Sequence, residues 1–162
     1  MAISLIVETG AGIVNANTYA TASEAREFAL NRGVVLSSND DEIAALLIKA
    51  SDYIDSLEPE FAGVRVSDAQ ALAFPRLGLT PVLPTAIKKA QLQAVLEQHA
   101  GVILMPSFVA SDYVVEETVG PITTKYSDPA KVNMRPIIPA IDALLEPFKR
   151  RSSGSGFRVV RV

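Results

Sequence analysis

Ile43, Leu46, Leu47, Ala50, Tyr53, Ile54 and Leu57 recur three and four positions apart, which is the spacing of a single face of an α-helix sustained for about four turns. A stripe of that length cannot face water, and one helix cannot cover it, so the chain must supply partner helices. Asp40, Asp41 and Glu42 follow Ser38 and Asn39 at its start, where the helix dipole favours anions, and this places the beginning near residue 40. Three other segments carry the same period. TASEAREFALNRG predicts a helix over about 22–32, with Thr21 and Glu24 at capping-box spacing, Ala25, Phe28 and Ala29 on one face, and Gly33 as the stop. A longer helix is expected from Pro84, a good first-turn residue, through Ile87, Ala90, Ala94, Val95 and Gln98 toward Gly101. A last helix is expected from Pro139 to about Lys149, with Ile141, Leu144, Leu145 and Phe148 apolar and Pro147 kinking or ending it.

The remaining segments follow a different period. Residues 3–7, ISLIV, predict a short strand or an ordered arm that ends in the TGAG turn. Residues 58–81 are punctuated by Pro59, Gly63, Pro75 and Gly78, and only SDAQALA suggests a short helix there, capped by Ser67. β-branched runs at 113–119 and 122–126 flank Gly120 and Pro121 and predict a hairpin. Taken together these describe a mainly α chain, a small bundle of about four helices with a β-hairpin and extended N- and C-terminal arms. One domain is expected over 1–151, with the hairpin at about 113–126, followed by a flexible linker and extended tail at 152–162. A chain of 162 residues, 49% apolar and 20% charged, can bury one core without staples.

Most catalytic chemistry lacks its residues. With no cysteine there is no disulfide, thiolate metal site or cysteine nucleophile, and the lone His99 leaves no second imidazole for zinc or for a relay. The opening MAISLIVE has no basic region and reaches Glu8 early, unlike a secretory signal, and no apolar run is long enough to cross a bilayer. Gly10 and Gly12 invite a dinucleotide-loop reading, but Asn15 stands at the third glycine position; the alternative is a turn out of the arm. Asp52, Asp55 and Glu58 share a helix face opposite the apolar stripe, which suits a solvated or partner-facing surface better than acid–base work. Gly154, Ser155 and Gly156 lie in the linker and not in a strand-to-helix elbow. The expectation is a protein that is not an enzyme and takes no cofactor, no metal and no membrane partner.

Charge is distributed unevenly. Residues 1–60 hold ten acids against three bases, residues 61–162 hold eight acids against twelve bases, and the net charge is −3. From Lys131 onward seven bases face only Asp142 and Glu146, a pattern that suits a polyanionic or acidic partner. Lys149, Arg150 and Arg151 sit where cations suit a helix C-terminus. Beyond them FRVVRV is basic and β-branched, as expected of an arm that adds a strand to a neighbouring subunit, whereas a solvated tail has no use for Phe157, Val159, Val160 and Val162. Phosphate contacts through the same tail are the alternative, with only Phe157 available to stack on a base.

Several short motifs occur in one order: ANTY at 16–19, LIKASDYID at 47–55, QALAFPR at 70–76, PTAIKKAQ at 84–91, ETVGPITTKY at 117–126, a proline-flanked PAIDALLEP and a terminal RVVRV. In this order the chain resembles a family of tailed-phage proteins, often labelled DnaT-like single-stranded-DNA-binding proteins and regarded as head-tail connector or head-completion adaptors. Phe74 stands where that family more often has Trp. The resemblance implies a helical adaptor forming a ring, a dodecamer by expectation, in the virion neck after assembly in the host cytoplasm. Its partners would be other copies of itself, the portal protein, a tail or second neck protein, and genomic DNA passing through a channel that net negative charge keeps from sticking. The rival reading is literal single-stranded-DNA binding. On the adaptor reading, portal or neighbour contacts fall on Arg150, Arg151, Phe157, Arg158, Val159, Val160, Arg161 and Val162, and inter-subunit or tail-side contacts on Val119, Gly120, Pro121, Ile122 and Thr123. The motif residues Tyr19, Asp52, Tyr53, Gln70, Phe74, Pro75 and Arg76 are assigned to the fold, with Phe74 and Tyr53 packed and Arg76 expected to pair with Asp52 or Asp55.

Overall fold

The structure, a computed structural model, describes residues 2–79, 82–107 and 136–150, and the backbone alone at 116–119 and 122–125. Within these residues the chain is mainly α with a β-hairpin, as its apolar periods predict. Helix α1 (Ala22–Leu30) opens on the expected capping box: the Glu24 N–H donates to Thr21 Oγ1 at 3.2 Å, and the Thr21 N–H to Glu24 Oε2 at 2.7 Å. It stops two residues short of the predicted end, and Gly33 lies beyond it at φ +73°. Helix α2 (Asp40–Ser56) is capped by Asn39, which accepts from the Asp41 N–H at 3.0 Å. Its stripe of Ile43, Leu47, Ala50, Tyr53 and Ile54 is buried.

Helix α3 (Thr85–His99) packs against both α2 and α4 (Pro139–Leu145) and so forms the centre of the bundle. Pro84 stands one position earlier than expected, as the cap of α3 and not within its first turn. Pro147 ends α4, and the chain tightens there into a 3₁₀ turn at Glu146–Phe148. The hairpin pairs β3 (Glu116–Val119) with β4 (Ile122–Lys125), Val119 opposite Ile122 and Thr118 opposite Thr123. Gly120, Pro121 and the outer hairpin positions 113–115 and 126 lie outside the described residues, as do the linker and tail from 151 onward.

Of the two readings of residues 3–7 the chain takes the arm and not the strand, and the short helix expected at SDAQALA does not form. The run 3–7 does not form a strand of its own; its one β contact is a bridge from Val7 to Thr18, with the Glu8 N–H donating to the Thr18 carbonyl at 2.8 Å. SDAQALA forms no helix, because Gln70 turns its amide back on the preceding backbone: Oε1 accepts from the N–H groups of Val66 and Ser67 at 2.9 and 3.1 Å. Those bonds hold a turn in which Ser67 Oγ accepts from the Ala69 N–H at 3.2 Å.

The punctuated segment from residue 58 has no long element and carries a 3₁₀ turn at Glu58–Glu60 and a small antiparallel pair, β1 (Val64–Arg65) with β2 (Arg76–Leu77). Gly63 makes that pairing possible. At φ +72° a Cβ there would stand 2.2 Å from the Leu77 carbonyl oxygen, so no other residue allows the two backbones to approach. Phe61, Phe74 and Phe148 stack edge to face beneath it, with centroids 4.9 and 5.7 Å apart, and join this region to the α4 end of the core.

Candidate functional site

The family-motif residues converge on one place, and that place is internal. Tyr19, Tyr53, Gln70, Phe74 and Arg76 are each at most 4% exposed, Pro75 is buried, and only Asp52 faces solvent. Partial burial raises the pKa of its carboxyl.

Arg76 does not pair with Asp52 or Asp55. Its Nη1 donates to Glu58 Oε1 at 2.9 Å and to the Ala73 carbonyl at 3.2 Å, while Nε and Nη2 donate to the carbonyls of Ala62 and Gly63. Glu58 also receives Arg65 at 2.7 Å, and the hydrogen bond from Arg65 leads the causes that hold the Glu58 carboxyl below the usual range. Asp55 points the other way. Its Oδ1 accepts from the Tyr19 hydroxyl at 3.1 Å and from the Ala73 N–H at 2.9 Å, while the Tyr19 oxygen itself accepts from the Phe74 N–H at 3.3 Å. Burial pushes the Asp55 carboxyl up to about 6 and, with Asp55 beside it, pushes the Tyr19 phenol up as well. The expected acid triplet is therefore not a single solvated helix face: α2 ends at Ser56, and Glu58 lies beyond it in the 3₁₀ turn. Asp52 is on the surface, whereas Asp55 and Glu58 clamp the segment 62–76.

The GAG loop resembles an anion cradle because it is one, and the anion is the chain's own Glu8. That buried carboxylate accepts from the N–H groups of Gly10, Gly12 and Ile13 at 2.7, 3.0 and 2.7 Å, which leaves those donors unavailable to a dinucleotide phosphate. Gln91, at the buried centre of α3, is a polar anchor that helical period alone gives no reason to single out. Its Oε1 accepts from the Tyr19 N–H, and its Nε2 donates to Thr18 Oγ1, the Leu47 carbonyl and Ser51 Oγ, all within 3.0 Å. His99 sits exposed in the last turn of α3. Among the described residues no three His, Cys, Asp or Glu side chains are grouped to hold a metal ion.

The cations of the described region are largely committed to internal partners. Arg26 pairs with Asp40 at 2.6 Å, Lys88 with Glu24 at 2.8 Å, and Lys149 lies within 4 Å of Glu60, Asp142 and Glu146. Arg32 covers the Phe28 ring at 3.4 Å, and Arg150 Nε donates to the Phe61 carbonyl at 2.9 Å. The described aromatics belong to the core or to its margin. Of the residues assigned to interfaces, Arg150 is therefore tied down, Val119, Ile122 and Thr123 are placed by their backbone in the hairpin, and Arg151, Phe157, Arg158, Val159, Val160, Arg161, Val162, Gly120 and Pro121 lie outside the described residues.

The described residues form a mainly helical fold whose buried polar groups serve the fold itself. A family model described as "Putative DnaT-like ssDNA binding protein" matches residues 3–162, and the chain belongs to that family. The description names single-stranded-DNA binding and does not name a head-tail connector. Searches of curated proteins and of solved structures returned no match.

Proposed function

We propose that the protein is a non-enzymatic, DNA-associated binding protein that contacts single-stranded DNA. The observation that carries this reading is the family match over residues 3–162, whose description is single-stranded-DNA binding. The ion pairs of Arg26, Arg65, Arg76, Lys88 and Lys149 support a contact made by the other bases, the exposed Lys49 and Lys89 and those of the basic C-terminal part of the sequence, Lys131, Arg135, Arg151, Arg158 and Arg161. Contacts of that kind are sequence-tolerant and sensitive to salt.

A second reading, the ring-forming head-tail adaptor of a tailed phage, is favoured by a different observation. The described surface has no aromatic platform for bases, and the acidic and basic halves of the chain suit a heterologous contact between neighbours. In that case the protein works in the virion neck, against a portal and a tail protein, and DNA only passes through. Native mass spectrometry of the full chain separates the two, with a thymine-only oligonucleotide in one sample and the portal protein in another. Oligonucleotide complexes that weaken steeply with salt uphold the first reading. A multi-copy complex with the portal and no oligonucleotide binding would overturn it in favour of the second.

A further inference from the structure

The N-terminal arm uses only one of its two edges. Residues 4–8 run against 17–18: the Glu8 N–H donates to the Thr18 carbonyl at 2.8 Å, the Ile6 carbonyl accepts from the Asn17 N–H at 2.9 Å, and the Ile6 N–H donates to Asn17 Oδ1 at 2.8 Å. The Ser4 carbonyl accepts from Asn17 Nδ2 at 2.9 Å. In extended chain successive backbone groups point to opposite edges, so the N–H and C=O of Leu5 and Val7 face away from this pairing, and no partner among the described residues meets them. Beside that edge lies a cleft of about 440 Å³, lined by Val7, Val82, Leu83 and Pro84 among others. Glu8, Thr9, Thr85 and Lys88 also line it, and Ile3 and Ile6 of the arm are 42% and 39% exposed. An unpaired backbone edge beside a partly apolar cleft suits strand addition.

We propose that this edge receives the C-terminal segment 157–162, FRVVRV, of a second copy of the chain. Its β-branched residues suit the extended pairing, and the charges of Arg158 and Arg161 complement the acids near the arm. The arm is tied at Ile3, whose N–H donates to Asp41 Oδ1 at 2.7 Å, to the first turn of α2, where Asp40, Asp41 and Glu42 stand together. Direction favours a neighbour over the same chain. The described chain leaves at Arg150, whose N–H donates to the Glu60 carbonyl at 2.7 Å, just past the far end of α2. A helix of 17 residues separates exit from edge by about 25 Å. With 157–162 docked, only the six residues 151–156 remain as linker, and at about 20 Å they fall short of the edge of their own chain, which leaves the edge of an adjacent copy. Tail from one end onto arm at the other is a head-to-tail contact, which closes into a ring or propagates along a strand of DNA. The inference holds on either functional reading.

The absence of cysteine makes the test clean. Full-length chains carrying Ile6→Cys or Val160→Cys are prepared separately, mixed and oxidised. Expected is a mixed disulfide dimer in clear excess over either chain alone. Adding Val7→Pro to the Ile6→Cys chain removes the outward N–H and lowers that yield by about tenfold, with circular dichroism confirming the helices. Should the proline variant unfold, Val159→Asp on the Val160→Cys chain must lower the yield instead, since it leaves the arm intact. No mixed dimer, a mixed dimer indifferent to these changes, or an internal disulfide in a dilute doubly substituted chain each overturns the proposal. So does a Val159→Asp chain that loses thymine-oligonucleotide binding while the parent chain shows no self-association, because the tail then serves the nucleic acid.

Discussion

Residues 57–79 and residues 101–107 both leave a long helix without forming another, yet they are held by opposite means. The first segment is pinned by side chains acting as surrogate backbone: Gln70, 2% exposed, accepts from two N–H groups and donates to the carbonyls of Leu72 and Pro75 at 2.8 and 3.0 Å. Arg76, Arg65, Asp55 and Glu58 complete the set. The second segment turns at Gly101, at φ +95°, sends one N–H from Val102 to the Glu97 carbonyl at 2.9 Å, and inserts Leu104 into the core. Its neighbours Ile103 and Met105 are 69% and 45% exposed along a cleft of about 410 Å³. Irregular backbone needs its donors and acceptors satisfied wherever it is buried, and it can be loosely specified where water does that work.

The sharpest way to break this contrast is Gln70→Ala. It orphans the Ser67 N–H, leaves the Val66 N–H only its longer bond to the Pro75 carbonyl at 3.4 Å, and removes a buried amide partner from two carbonyls, so a loss of about 3 kcal/mol in urea unfolding is expected. A loss below about 1 kcal/mol would mean that the two segments do not differ as described. Asp55→Asn sharpens the contrast through pH. The Asp55 carboxyl is raised from 3.8 to about 6 in the folded protein, chiefly by burial, so folding takes up a proton between those values. Stability therefore declines as pH rises from about 4 to about 6 and is flat above, by no more than about 3 kcal/mol. Glu58 and Glu24 are shifted the other way and lose stability as pH falls, which makes the difference between parent and variant the quantity to read. Asparagine keeps an acceptor for the Tyr19 hydroxyl and the Ala73 N–H without the buried charge. The variant is expected to be more stable than the parent at pH 7 by about 1–2 kcal/mol, with the gap closing toward pH 4 in thermal melts. A gap independent of pH would place the proton elsewhere.

The same division explains what could be read from the residues alone. Helices α1, α2 and α3 were legible because Thr21 with Glu24, Asn39 before three acids, and the Ile43 to Leu57 stripe are local signals, each decided within a few turns. Segment 57–79 was not, because its structure depends on contacts far along the chain, such as Asp55 with Ala73 and Glu58 with Arg76, 18 residues apart in each case. Arg76 needs an acid, but three acids spaced three residues apart in sequence give no basis for choosing Glu58 over Asp52 or Asp55. Glu8 and Gln91 passed unnoticed for a related reason: a polar residue in an apolar context marks a buried anchor only once the groups around it are known. The residues assigned to interfaces were chosen by composition, and nine of them lie outside the described residues.

The smallest expected effect tests the other side of the contrast. Ile103→Ser removes an apolar side chain that is already 69% exposed, so the lost burial is minor and the unfolding free energy should stay within about 0.5 kcal/mol of the parent. Leu104→Ala, one residue on and 4% exposed, should cost about 2–4 kcal/mol by emptying a packed site. The pair isolates burial from position, since both side chains belong to the same cleft wall. If Ile103→Ser costs as much as Leu104→Ala in the isolated chain, something covers the cleft in solution, and the segment is specified as tightly as 57–79 by a contact that these residues do not make among themselves. Measuring both variants at two protein concentrations decides between the two cases, because a cover supplied by a second copy makes the Ile103 effect grow with concentration, whereas intrachain burial leaves it constant.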